Sequence, residues 1–207
     1  EDYLSPRGLS VTPAPVNGVM VIGSCLASGF PGVLNSKFNV ERTDYCLFNY
    51  GTELPATPAG FAEAYSFQIV QLAIRSLIPD ASYFALDGGD VEGYARLFET
   101  ACDRIETMLD AALVWTAATG VPAFVLNLLV PQKNAMGSFF DRYDLRNIVH
   151  FVEQLNVYLH GAVRKRRNCY CLDQDAIAAA IGRRYIQDDT VLQYNHGAVL
   201  HDHINEL

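Results

Sequence analysis

The sequence has little positive charge and no long apolar run. Its 15 lysine and arginine residues face 23 aspartate and glutamate residues, which gives a net charge of −8. Nucleic-acid-binding proteins usually carry a basic face, so we expect no nucleic-acid partner. No apolar stretch reaches the roughly 18 residues of a transmembrane helix, so we expect no membrane span. Half of the residues are nevertheless hydrophobic, which predicts a folded chain rather than a disordered one.

The five cysteines lack the spacing of a metal site. There is no C-x-x-C pair, and an odd count leaves at least one thiol free. Cys169 and Cys171 alternate in a predicted strand, so their side chains point to opposite faces. This usage predicts mostly buried thiols, no bound metal and a reducing compartment, which we take to be the cytoplasm.

Nucleotide-binding and hydrolase motifs of several common kinds are also missing. G-x-G-x-x-G does not follow the first predicted strand, and neither G-K-[ST] nor G-x-S-x-G occurs. A Rossmann cofactor site and a phosphate loop are therefore not expected. No resident cofactor is predicted.

The chain alternates short apolar runs with segments of helical periodicity. Residues 1–17 are proline-bearing and aperiodic, which suggests an arm or linker before a single domain over 18–207. The start at Glu1 rather than Met suggests a processed form or a domain excised from a longer chain. Such alternation predicts βαβ units, and hence a three-layer α/β/α domain with a mainly parallel, five-stranded, flavodoxin-like sheet. Strands are predicted at 19–22, 45–48, 83–86, 122–130 and 168–172, and helices at 59–77, 91–119, 145–163 and 173–181.

The turn after the first strand is the most distinctive candidate site. Ligands of open parallel sheets bind beyond the carboxyl ends of the strands. Gly23 permits a tight turn there, and Ser24 and Cys25 follow at the start of a helical segment. Backbone N–H groups at such a place stabilise a thiolate and an oxyanion. Ser24 is expected to cap the helix rather than to act as nucleophile.

The stretch from Val21 to Ser28 resembles block I of the SGNH (GDSL-type) hydrolases. It is also similar to the G-S-C-F-A motif of the GSCFA group, with Leu26 in place of phenylalanine. Aligned by position, Ser24 replaces the aspartate of the block and Cys25 replaces the nucleophilic serine. The resemblance implies an SGNH-hydrolase-like fold with a cysteine nucleophile.

The remaining blocks match less closely. The resemblance implies Gly51 as an oxyanion donor after strand two and Gly88 after the predicted strand three. The loop at Gly88 lacks the asparagine of that block, and Asn127 in the fourth predicted strand is a substitute. His196 takes the place of the block V histidine. Gln193 stands where block V has aspartate, so either Asp188 or Asp189 orients His196, or a Cys–His dyad operates. The candidate catalytic set is therefore Cys25, His196 and, as the preferred aspartate, Asp189.

Together these features predict an SGNH-like acyl-group enzyme. It would be an acyl esterase or an O-acyltransferase, and the resemblance implies a carbohydrate or other small-molecule substrate. A transferase would need an acyl donor such as acetyl-CoA. The alternative is a catalytically inactive SGNH-like module that binds a glycan or serves as an accessory domain of a larger polysaccharide-biosynthesis protein.

Overall fold

The computed structural model describes residues 15–38, 40–134 and 136–188, with the backbone alone at positions 80 and 81. Five strands form one sheet in the order β2-β1-β3-β4-β5, and every neighbouring pair is parallel. This is the flavodoxin-like order, which confirms the predicted fold class. The strands are β1 Gly18–Gly23, β2 Arg42–Leu47, β3 Phe67–Gln71, β4 Ala123–Leu126 and β5 Cys169–Leu172.

Helices connect the strands, as parallel pairing requires. A 3₁₀ helix, Cys25–Gly29, leads from β1 into the first α-helix, and two more 3₁₀ turns span Gly137–Phe139 and Arg183–Tyr185. No helix in the described ranges is long and apolar enough to cross a membrane. The α-helices are α1 Phe30–Phe38, α2 Phe61–Ala64, α3 Ile74–Leu77, α4 Asp80–Phe84, α5 Val91–Ala112, α6 Val114–Thr119, α7 Ile148–Arg164 and α8 Gln174–Ile181.

The core is unequal on the two faces of the sheet. One face packs against α5 and α7, whose inward residues, such as Ile105 and Phe151, have no exposed surface. The other face carries a smaller cluster around Val19 and Val21 that packs against α1. β1 is buried along its whole length because it lies between β2 and β3 and is covered on both faces.

The prediction of one helix over 59–77 is wrong. The segment forms α2, then β3, then α3. In β3, Gln68 and Val70 are buried on one face while the alternate residues are half-buried on the other. The spacing of Phe61, Tyr65 and Ile69 is helical by coincidence, and pairing with β1 and β4 makes the segment a strand.

The predicted third strand over 83–86 is wrong as well. Asp80–Phe84 is the short helix α4, which follows Pro79. Tyr83 is 4% exposed and packs edge-on against Tyr94 of α5 and Phe151 of α7. A run of four apolar residues suits a helical turn buried under two long helices as well as it suits a strand.

The other predicted elements are confirmed with shifted boundaries. β4 is shorter than the predicted 122–130, and the predicted helix 91–119 is divided at Leu113 into α5 and α6. β5, α7 and α8 lie where they were predicted. The predicted arm over 1–17 lies almost entirely outside the described residues and stays a prediction.

Candidate functional site

The turn Gly23-Ser24-Cys25 lies at the carboxyl end of β1, between β2 and β3. The approach of this turn to β3 is close. A Cβ atom at Gly23 would lie 2.9 Å from the Cβ of Ala27 and 3.0 Å from the Cβ of Gln71. Glycine is therefore needed for β1 to end beside β3 in this way.

Ser24 is tied to β3 by its backbone and its side chain. It is 4% exposed, and its N–H and hydroxyl donate to Oε1 of Gln71 at 3.0 and 2.9 Å. Its hydroxyl oxygen also accepts from the N–H of Leu26 at 3.3 Å, so the expected capping role is confirmed. Because an N–H only donates, the Gln71 atom facing Ser24 must be the oxygen. Nε2 of Gln71 points elsewhere and donates to none of the described residues.

Tyr45 holds the same turn from the other side. Its hydroxyl donates to the carbonyl oxygen of Ser24 at 2.8 Å and lies 3.2 Å from that of Gly23. Burial, and to a lesser extent the thiols of Cys25 and Cys46, raise the pKa of the Tyr45 phenol above its usual range. The phenol therefore remains a hydrogen-bond donor throughout the neutral range.

Cys25 differs from the other four thiols of the chain. It is exposed, whereas Cys46 and Cys171 are half-buried and Cys102 and Cys169 are buried. Burial raises the pKa of each of these four thiols, and that of Cys102 to about 11. The exposed thiol is thus the one at the carboxyl edge of the sheet.

Gly51 lies in the turn that follows β2, the neighbour of β1. Its φ of +81° is in the left-handed region, which favours glycine. The N–H of Thr52 donates to the carbonyl of Asn49 at 3.0 Å, which closes the turn. Gly51 therefore follows the carboxyl end of β2, as Cys25 follows that of β1, and its role as an oxyanion donor stays a prediction.

Gly88 does not directly follow a strand, contrary to prediction. It lies in the turn between α4 and α5. Its carbonyl accepts from Nη1 of Arg146 at 3.0 Å, and a Cβ at this position would lie 3.0 Å from the ring of Phe140. These contacts make it a structural turn residue beside the start of α7.

Asn127 follows β4 and faces away from β1. Its Nδ2 donates to Oδ1 of Asp173 at 2.7 Å, and its Oδ1 accepts from the N–H of Asp175 at 3.1 Å. Both partners belong to the junction of β5 and α8, which the strand order places on the far side of β4. Asn127 therefore joins β4 to α8, and the structure does not bring it to Cys25.

The two remaining predicted residues, Asp189 and His196, lie outside the described residues. The last described residue is Asp188. Just before it, Gln187 donates from Nε2 to the carbonyl of Val130 at 2.8 Å, so the chain there lies beside the segment that follows β4. Eight residues further along is His196.

A separate cavity of about 730 Å³ lies between the segment after β4 and the start of α7. Two of its lining arginines form ion pairs: Arg142 with Glu153 at 2.5 Å and Arg183 with Asp175 at 2.7 Å. Asn147 caps α7. In the part of the chain that the structure describes, no cluster of three His, Cys, Asp or Glu side chains is arranged to hold a metal ion.

Comparison with known proteins supports the fold class. No family model and no curated protein matches the sequence. The chain is similar to the N-terminal part of the Bacteroides fragilis protein BF1531, which contains a phosphatase domain complexed with Mg, with a TM-score of 0.54 and 11% identity over 89% of this chain and 46% of that one. It therefore spans less than half of that structure.

A second solved structure is an acetyl xylan esterase, AlAXEase. The TM-score is 0.43 at 9% identity, covering 91% of this chain and 93% of that one. At such identities the similarity to BF1531 concerns the fold alone. This chain is thus an α/β protein with a five-stranded parallel sheet, and its resemblance to the GSCFA group stays a prediction.

Proposed function

We propose that the chain is an SGNH-like acyl-group enzyme with Cys25 as its nucleophile. One observation carries the proposal. The single exposed thiol of the chain lies at the carboxyl end of β1, on a turn bonded to β2 through Tyr45 and to β3 through Gln71. Open parallel sheets place their reacting groups at this position.

In the proposed reaction, the Cys25 thiolate attacks the carbonyl carbon of an ester and the carbonyl electron pair moves to oxygen. His196 takes the thiol proton and returns it to the leaving alkoxide as the C–O bond breaks, which leaves a thioester on Cys25. Water then cleaves the thioester in a hydrolase, and a sugar hydroxyl does so in an O-acyltransferase. Asp188 or Asp189 orients His196. A transferase would take its acyl group from a donor such as acetyl-CoA.

Three donors are assigned to the oxyanion. The backbone N–H groups of Cys25 and Gly51 are carried over from the resemblance. The third is Nε2 of Gln71, which replaces Gly88 and Asn127 in that role. Gln71 ends the true third strand and lies beside Ser24, and its Nε2 donates to no described residue. Donors aimed at developing charge are among the largest contributions to catalysis.

A second candidate function is a glycan-binding or accessory module without catalysis. The 730 Å³ cavity favours it, because its volume is within the range of small-molecule sites. Two aromatic side chains close to it in sequence, Phe139 and Tyr143, are each 77% exposed. Flat exposed rings of this kind are suited to stacking on sugars. In this alternative Cys25 has no chemical role.

Alkylation separates the two candidates. Wild-type protein is treated with limiting iodoacetamide at pH 7.5, and the modified peptides are located by mass spectrometry. A thiol with a pKa of about 11, as at Cys102, has roughly 300-fold less thiolate than an ordinary thiol of about 8.5. We expect Cys25 to be labelled first. Turnover of p-nitrophenyl acetate should be lost in Cys25→Ala and in His196→Ala and kept in the control Cys46→Ala.

Two results contradict the enzyme proposal. One is labelling of Cys25 no faster than that of half-buried Cys46, and the other is full turnover in Cys25→Ala. Either result leaves the binding module, which is tested by calorimetry with xylo-oligosaccharides on wild type and on Tyr143→Ala.

A further inference from the structure

The peptide bond between Ser24 and Cys25 is held by two hydrogen bonds. Its carbonyl oxygen accepts from the hydroxyl of Tyr45 at 2.8 Å and from the N–H of Ala27 at 2.9 Å. A carbonyl oxygen has two lone pairs, so this one is fully used. The peptide is planar and trans, and its C=O and N–H point in opposite directions. Holding the carbonyl of Ser24 therefore sets the direction of the Cys25 N–H.

Tyr45 reaches this peptide from the neighbouring strand. It pairs with Val21 in the register of β1 and β2, so its side chain extends along the sheet to the turn after Gly23. The ring packs against the cluster that contains Val19 and Val21. Its hydroxyl is consequently a fixed donor, held by packing on a strand rather than on a loop.

The two sides of the turn are held differently. Gln71 of β3 bonds the N–H and hydroxyl of Ser24, whereas Tyr45 of β2 bonds the carbonyl. Removal of the Tyr45 hydroxyl leaves the links to β3 in place. The carbonyl keeps its bond from Ala27, so the turn remains formed, but the peptide plane is then held by one hydrogen bond instead of two.

We propose that Tyr45 is a positioning residue whose hydroxyl orients the Ser24–Cys25 peptide so that the Cys25 N–H faces the oxyanion of the reacting carbonyl. The inference rests on the proposed function, since it needs Cys25 to be the nucleophile. It goes beyond that function by giving a role to a tyrosine that does not touch the substrate. Tyr45 acts through the Cys25 N–H and not on the thiol.

The test is Tyr45→Phe, which keeps the ring and removes the hydroxyl. Complete removal of an oxyanion donor lowers kcat about 10²–10³-fold, and a misdirected donor keeps part of its effect, so we expect kcat for p-nitrophenyl acetate to fall about 10-fold with KM unchanged. Alkylation of Cys25 by iodoacetamide forms no oxyanion, and its rate should stay within about 2-fold of wild type. Incorporation of 3-fluorotyrosine at position 45, which restores a hydroxyl, should restore kcat.

Tyr65→Phe is the matched control. Tyr65 is 5% exposed and donates to Oδ2 of Asp44 at 2.5 Å, at the amino end of the sheet. It loses an inward hydroxyl as Tyr45→Phe does, but far from Cys25, and its kcat should be unchanged. This control shows whether any loss of kcat comes from general destabilisation.

The outcomes separate the inference from the proposed function. Turnover that requires Cys25 but is unchanged in Tyr45→Phe overturns the inference alone. Equal losses of turnover and of Cys25 alkylation in Tyr45→Phe also overturn it, because the residue would then act on the thiol or on folding. If wild type has no turnover that Cys25→Ala abolishes, the proposed function and the inference both fail. Should Tyr45→Phe be poorly folded, the pH profile of kcat is compared between wild type and the 3-fluorotyrosine protein. Fluorine makes the phenol more acidic and a phenolate does not donate, so kcat should fall at a lower pH in the fluorinated protein, and identical profiles overturn the inference.

Discussion

Substitution of Gln71 separates its structural role from its proposed catalytic role. Gln71→Met removes the oxygen that accepts from the N–H and the hydroxyl of Ser24 at 3.0 and 2.9 Å. Gln71→Glu keeps an acceptor oxygen at this place and removes the amide donor. The two variants have nearly the same size, so packing against Gly23 is similar in both.

The free-energy changes follow from the burial of Ser24, which is 4% exposed. A buried N–H left without an acceptor costs about 1–3 kcal/mol, and the lost hydroxyl bond adds about 1 kcal/mol. Gln71→Met should therefore lower the free energy of unfolding by about 2–4 kcal/mol. For a chain of this size, 1 kcal/mol corresponds to about 2–4 °C in Tm, so the expected fall is roughly 4–16 °C. Gln71→Glu should stay within about 1 kcal/mol of wild type.

Activity should fall even in the variant that keeps its stability. In Gln71→Glu the fold is kept but the Nε2 donor is absent, so kcat should fall about 10²–10³-fold. Thermal unfolding followed by circular dichroism measures stability, and p-nitrophenyl acetate turnover measures activity. A double-mutant cycle of Gln71→Met and Ser24→Ala should give a coupling energy of at least about 0.5 kcal/mol in the free energy of unfolding.

The catalytic and the structural role of Gln71 are each contradicted by a specific result. Wild-type kcat in Gln71→Glu would show that Nε2 does not stabilise the oxyanion. An unchanged Tm in Gln71→Met, or no coupling to Ser24, would show that the link between the turn and β3 does not hold the turn in place.

Two further expectations concern stability. In urea unfolding, Gly18→Ala should lower the free energy of unfolding by at least about 2 kcal/mol, because its Cβ would lie 2.2 Å from the carbonyl oxygen of Ala64. The added Cβ of Gly32→Ala in α1 meets no atom, so this variant should gain up to about 1 kcal/mol. Equal effects of the two substitutions would contradict this packing. The hydrogen bond from Tyr65, together with Arg42, lowers the pKa of Asp44. Its stabilisation is therefore present above the unfolded pKa of about 3.9 and lost as pH falls through the folded value. The Asp44 side chain is 43% exposed, so Asp44→Asn should be less stable than wild type by under about 1 kcal/mol at pH 7. This difference should vanish near pH 2. A constant difference between pH 7 and pH 2 would argue against the ionic contribution.

The local pattern was sufficient where an element is decided by its own residues. The apolar run Val19–Ile22 ending at Gly23 predicted the doubly covered strand β1 and the turn that carries Cys25. The long amphipathic helices α5 and α7 were likewise recognisable. These features need only the spacing of apolar residues and the chemistry of turns and caps, which the sequence contains directly.

Tertiary contacts decide the conformation of elements that are too short to be recognised from local periodicity. Phe67–Gln71 is a strand because β1 and β4 supply its hydrogen-bond partners, and Asp80–Phe84 is a helix because α5 and α7 supply a surface for Tyr83. Those partners are distant in sequence, so local periodicity does not reveal them.

The same limit applies to the candidate site. A polar residue at the end of an apolar segment was the available signal for Gln71, but it has meaning only once the segment is known to be a strand beside β1. The sequence by itself determined the fold class, the turn after the first strand and the position of the candidate thiol in it. The structure alone decided that Gln71 and Tyr45 bond this turn and that Gly88 and Asn127 lie elsewhere. Residues 20 to 50 positions apart meet there because parallel pairing brings the carboxyl ends of separate strands to one edge.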